Sequence, residues 1–206
     1  MQTPTKIDYK KQLSALYNPP RDFSIVSVPS MQYLIIDGHG YPSTSADFQT
    51  AIEALYALSY ALKFAAKAQG ADYTVMPLEG LFYTGNANEE FDIQHPDTWH
   101  WTIMVMQPEV ITTALFEAIR REVQAKKNLA ALPRARLEAY DEGLSVQIMY
   151  YGAYKDEPPT IDRMYAYMSE HGYDKNGKHH EIYLGDPNRT APEKLKTVIR
   201  QPIRKR

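Results

Sequence analysis

Hydrophobic positions along this chain alternate in some stretches and recur every three to four residues in others, and the switches between the two periods mark its elements. Residues 9–17 show a short helical pattern stopped by Asn18-Pro19-Pro20, so residues 1–22 read as an N-terminal docking arm. Residues 23–28 and 33–37, rich in β-branched and aromatic side chains, predict two strands separated by Pro29-Ser30-Met31. Thr44-x-x-Asp47 then predicts a capping box. The helix it opens carries Ile52, Leu55, Tyr56, Ser59 and Leu62 at helical spacing and ends near Gly70. Strands follow at 73–76, 78–85 and 99–106, the last with Trp99, Trp101, Ile103 and Val105 on one face, and a polar connection fills 86–98.

Pro108 suits the start of a helix over 108–127. A strand-like piece at 135–140, a turn at Asp141-Glu142-Gly143 and a strand at 144–151 come next. Asp156-Glu157-Pro158-Pro159 leads into a helix with Ile161, Met164, Tyr165 and Met168 on one side, stopped by His171-Gly172. A turn at 174–177, a strand at 178–184 and a final strand at 197–203 complete the chain. The β–α–β–β order thus occurs twice, in half-repeats at 23–107 and 134–203 linked by the 108–127 helix. Each half alone has too little core, so the expectation is one α+β domain over 23–206, pseudo-two-fold, with an antiparallel sheet and a ligand cleft between the halves.

Composition narrows the chemistry. The 206 residues include no Cys, which removes disulfides, thiolate nucleophiles and Cys-based metal sites and makes the cytoplasm the default compartment. The start lacks an apolar leader, and no stretch reaches the roughly 20 apolar residues that span a bilayer, so no membrane role is expected. A net charge of −2 argues against a nucleic-acid partner, and Arg200, Arg204, Lys205 and Arg206 read as a solvated basic tail. His95 and His100 flank a Pro-containing loop, and His179 and His180 are adjacent. With no His-Glu-x-x-His, no P-loop and no Gly-x-Ser-x-Gly, no metal and no cofactor are expected. Sixteen Tyr beside six Phe and two Trp suit both a sheet and the wall of a ligand cavity.

Several strings carry a resemblance: Tyr9-Lys10-Lys11-Gln12-Leu13, Met31-x-Tyr33-Leu34-x-Ile36-Asp37-Gly38-x-Gly40, Pro77-Leu78-Glu79-Gly80-Leu81, Trp99-His100-Trp101-Thr102, and above all His180-Glu181-Ile182-Tyr183-Leu184-Gly185-Asp186-Pro187-x-Arg189-Thr190-x-Pro192-Glu193-Lys194-Leu195-Lys196-Thr197. Together they resemble the stand-alone GyrI-like small-molecule-binding proteins over essentially the full length. The resemblance implies a duplicated β–α–β–β fold with an aromatic-lined central cleft, shared with effector-binding domains of multidrug-responsive regulators. It also implies bulky lipophilic, often cationic ligands and, in some members, hydrolysis of the cyclopropane of DNA-alkylating natural products. Where the family often has His-Ile-Gly-Pro-Tyr, this chain has Tyr150-Tyr151-Gly152-Ala153-Tyr154.

Glu181 matches the family's acidic cavity position, with Tyr183 on the same strand face. Charged, it would pair with a lipophilic cation; protonated, or acting through a water, it would serve as acid or base, with Tyr154 as the catalytic hydroxyl and Tyr151 and Tyr183 as further donors. Trp99 and Trp101 would stack on a flat ligand, Glu79 would line the cleft opposite Glu181, and Tyr33 and Phe82 complete the set. The bland alternatives are a wet-face glutamate, a turn-proximal surface Glu79 and core tryptophans. Hydrolase, non-catalytic sequestering or effector-sensing module, and protein-interaction module all stand at this point.

Overall fold

A computed structural model describes residues 6–85 and 95–206; the predicted polar connection lies largely outside the described residues. The helical pattern of the arm becomes two single turns, α1 (Tyr9–Gln12) and α2 (Ser14–Tyr17), because Leu13 leaves the helical region at ψ 39°. The first half continues with β1 (Ser24–Val28), β2 (Met31–His39), α3 (Ala46–Ala68), β3 (Leu78–Tyr83) and β4 (His100–Met106). Then come α4 (Thr113–Lys127) and the second half: β5 (Arg136–Tyr140), β6 (Gly143–Tyr151), α5 (Pro158–Glu170), β7 (Tyr173–Lys175), β8 (His179–Tyr183) and β9 (Lys196–Lys205).

Local chemistry sets several boundaries. The cap of α3 is Ser45, whose hydroxyl accepts from Phe48 N, one residue beyond Thr44. Pro108 lies in a turn ahead of α4, which starts only where the Thr112 hydroxyl accepts from Leu115 N. Tyr73 makes a single bridge to Ile7 instead of opening a strand, and the predicted turn at 174–177 is in part strand β7. The basic tail is corrected too: β9 runs on to Lys205, and Arg200 in its middle is 1% exposed.

All strands join antiparallel in the order β1-β6-β9-β8-β3-β4-β2-β5, with β7 alongside β9. The repeats map onto this order as β2-β4-β3 and β6-β9-β8, meeting at the central β3/β8 pair. At the outer strands the register is continuous: Val28 faces Gly143 and Met31 faces Tyr140, so β1–β2 and β5–β6 form one bent ribbon that folds from one half into the other.

Directly opposed residues share a sheet face. One face carries Gly80, Phe82, Trp101, Ile103, Glu181, Tyr183, Thr197 and Ile199. Here α3 rests on the first half through Phe48, edge-on to Trp101 at 5.1 Å, and α5 rests on the second through Ile161, Met164 and Met168. Trp101 packs where Gly38 leaves room, since a Cβ at Gly38 would come within 2.1 Å of its ring. The other face carries Glu79, Leu81, Met104, His180, Ile182 and Arg200 and is covered by Leu16 and Tyr17 of the arm. Among the described residues no helix is long and apolar enough to cross a membrane.

Candidate functional site

The two helices stand on the same sheet face, one per half, and the floor between them is the β3/β8 pair. Gly80 of β3 lies opposite Glu181 of β8. With no side chain at Gly80, the Phe82 ring and the Tyr183 hydroxyl lean over it; a Cβ there would meet them at 2.7 and 3.4 Å. Glycine thus makes room for these two side chains beside Glu181.

Period-two geometry puts His179, Glu181 and Tyr183 on this face. The Tyr183 hydroxyl donates to Glu181 Oε2 at 2.8 Å, and His179 Nε2 lies 3.2 Å from Oε1. From the segment before α5, Tyr154 packs edge-on against Tyr183 at 5.4 Å. Glu157, 2% exposed at the mouth of α5, interacts through its carboxyl with Glu181. Tyr56 of α3 reaches the backbone of Leu78 from the opposite wall and is close enough to influence Tyr154. Phe82 touches Trp99 at 5.8 Å, and Trp99 touches Tyr41 at 6.0 Å.

The two carboxyls are driven apart. Burial, and then the charge of Glu181, push Glu157 well up. The Thr197 hydroxyl pulls the other way by donating to it, and a protonated Glu157 can in turn donate to Glu181. Burial opposes ionisation of Glu181 as well, but the hydrogen bonds from His179, Tyr183 and Glu157 outweigh it and hold its carboxyl below the usual range. Burial and the neighbouring Glu157 push Tyr154 up to about 12; burial and Glu181 push Tyr183 well up, so both phenols remain donors. The site therefore brings together two carboxyls of opposed proton affinity and two phenolic hydroxyls, with the Phe82 ring beside them.

Of the residues singled out in the sequence, Glu181, Tyr183, Tyr154 and Phe82 are brought together here, with Trp99 at the edge. Trp101 is wholly buried beneath Phe48. Glu79 and Tyr33 are on the opposite sheet face, where Glu79 accepts from the Tyr17 hydroxyl at 2.8 Å. Tyr151 sits at the end of β6 with the Arg21 guanidinium 4.1 Å from its ring centre. Glu157, His179, Tyr56 and Gly80 are additions. Among the described residues no three His, Asp or Glu are arranged to hold a metal ion.

The sequence matches the model of the GyrI-like small molecule binding domain over residues 21–204. An uncharacterized conserved protein from Listeria innocua is 34% identical, with a TM-score of 0.88 over 97% of this chain and 100% of that one. A hydrolase from Listeria innocua is 32% identical, with a TM-score of 0.84 over the same shares. The C-terminal domain of EcmrR, 9% identical, has the same fold at a TM-score of 0.56 over 90% of this chain and 98% of that domain. No curated protein matches the sequence. A family match over nearly the whole chain and two full-length relatives above 30% identity converge: the chain belongs to the GyrI-like small molecule binding domains.

Proposed function

We propose that the cleft between α3 and α5 captures bulky planar or cationic lipophilic molecules, with Glu181 as their counter-ion, in protection against xenobiotics. The observation that carries this reading is the Glu181 carboxyl, which accepts from the Tyr183 hydroxyl at 2.8 Å and is held below the usual range, beside the Tyr183, Tyr154 and Phe82 rings. Ion pairing and ring faces together offset the desolvation of a lipophilic cation.

A second reading, hydrolysis, is favoured by the opposed protonation of Glu157 and Glu181 and by the relative described as a hydrolase. For a cyclopropane conjugated to a dienone, Glu181 accepts a proton from water as its oxygen bonds to the ring carbon. The strained C–C bond breaks, its electron pair passes into the conjugated system, and the resulting phenolate takes a proton donated by Tyr154 or Glu157. Proton return from Glu181 restores the pair.

Calorimetry with ethidium and with uncharged phenanthridine, on wild type and Glu181→Gln, tests the first reading. Ethidium affinity is expected to fall about tenfold or more in the variant, with phenanthridine little changed; equal losses for both would remove the counter-ion role. Mass spectrometry of a cyclopropane-bearing DNA alkylator tests the second. A ring-opened, water-added product is expected from wild type alone, and undiminished turnover in Glu181→Gln would take Glu181 out of the chemistry.

A further inference from the structure

Behind the cleft, β8 presents His180 to the other face of the sheet, where it is fully buried between two carboxyl groups. Its Nε2 lies 3.1 Å from Glu79 Oε2 on β3, and its Nδ1 lies 2.8 Å from Glu142 Oε1 at the bend of the β5–β6 ribbon. An ionised carboxyl only accepts, so an imidazole wedged between two of them needs a proton on each nitrogen. Glu142 Oε2 accepts from Arg200 Nη1 at 3.0 Å; Arg200 also donates to Gln147 Oε1 at 3.1 Å and to the Leu16 carbonyl at 2.7 Å. The arm is tied in twice more, through Tyr17 to Glu79 at 2.8 Å and through Gln147 Nε2 to the Ala15 carbonyl at 2.7 Å. Tyr33 of β2 faces both carboxyls, and Tyr140 of β5 faces Glu142 and Asp141.

These bonds converge on the strand that carries Glu181, one residue along. We propose that the Glu79–His180–Glu142–Arg200 network positions the cleft floor, coupling the N-terminal arm and the His180 proton to the placement of Glu181. The idea rests on the reading of Glu181 as the group that meets the ligand. Loss of the His180 proton turns one donated bond into a lone pair facing a carboxylate, and β8 must shift or twist to relieve it. Burial disfavours the imidazolium, but the charge of Glu142 and hydrogen bonds to both carboxyls overcome it and raise His180 to about 8, within reach of experiment.

The test uses the full chain labelled at histidine and glutamate. Between pH 6.5 and 9.5, the His180 ring is expected to titrate, and the carboxyl signal of Glu157, which meets β8 only from the cleft side, is expected to move with the same midpoint. Ethidium affinity should weaken about fivefold or more across that midpoint, and also in Tyr17→Phe at pH 7, a change that removes one hydroxyl and leaves the core filled. Removing a buried positive charge by itself would strengthen cation binding, so the expected direction separates positioning from simple electrostatics. A titrating His180 with a stationary Glu157 signal, or ethidium affinity that rises with pH, overturns the proposal. If ethidium binds at no pH, the function proposed above fails, and the Glu157 signal still decides the coupling.

Discussion

The two faces of β8 are built from the same residue types and do opposite things with them. On the back, the carboxyls of Glu79 and Glu142 are matched by His180 and Arg200, and burial is offset by a closed set of charge-assisted bonds. In the cleft, Glu157 and Glu181 face each other beside His179, and one of the two carboxyls must keep its proton. Balanced charges make a brace; a carboxyl surplus makes an acid beside a base. The same His-Glu dipeptide supplies both, because adjacent strand residues point to opposite faces.

The comparison breaks most visibly at Arg200. Arg200→Met leaves Glu142 buried with one cation fewer and is expected to cost about 3–5 kcal/mol in urea denaturation; a loss below about 1 kcal/mol would mean that the back is not braced by matched charge. The pH dependence of stability is next. Despite burial, His180 and Arg200 hold Glu142 down to about 2, below its unfolded value, so its contribution is present above the unfolded value and disappears as pH falls through about 2. That contribution is about 3 kcal/mol. His180 is raised, so its contribution, about 2 kcal/mol, is complete below its unfolded value and disappears as pH rises through about 8. Denaturation midpoints across pH measure both arms. The smallest effect sharpens the contrast: Glu157 is raised, so folding favours on it a proton that the unfolded chain releases. Glu157→Gln is therefore expected to gain on the order of 1 kcal/mol at pH 7–8, measured in the same way.

Hydrophobic patterning made the repeats and their order legible, because α3 and α5 each bury one stripe, β2 and β6 are short apolar runs, and a Gly follows each of the four. Glu181 and Tyr183 were legible as a pair because they sit two apart on one strand. Glu157 was not: Asp156-Glu157-Pro158-Pro159 has the composition of an exposed turn, and only packing of α5 against the sheet turns Glu157 inward. Arg200 was hidden for the same reason, among basic neighbours that are in fact solvated while it meets Glu142 across the ribbon. Glu79 and Tyr33 depended on which face of their strands looks into the cleft. Alternation cannot decide that where both faces of β3 and β4 are buried.

The bent ribbon bears on how the chain reaches this shape. Each repeat lends its opening strand to the other: Ser24 pairs with Gln147, and Ile35 with Arg136. The arrangement is that of a strand-swapped dimer whose two subunits have been joined in tandem. Neither repeat can complete its sheet before the other has been synthesised, so closure waits on partners far apart in sequence and slow, high-contact-order folding follows. A chain cut in the segment between α4 and β5 would give two fragments, each carrying a strand that only the other can seat, and recovery of the fold would then depend on their concentration.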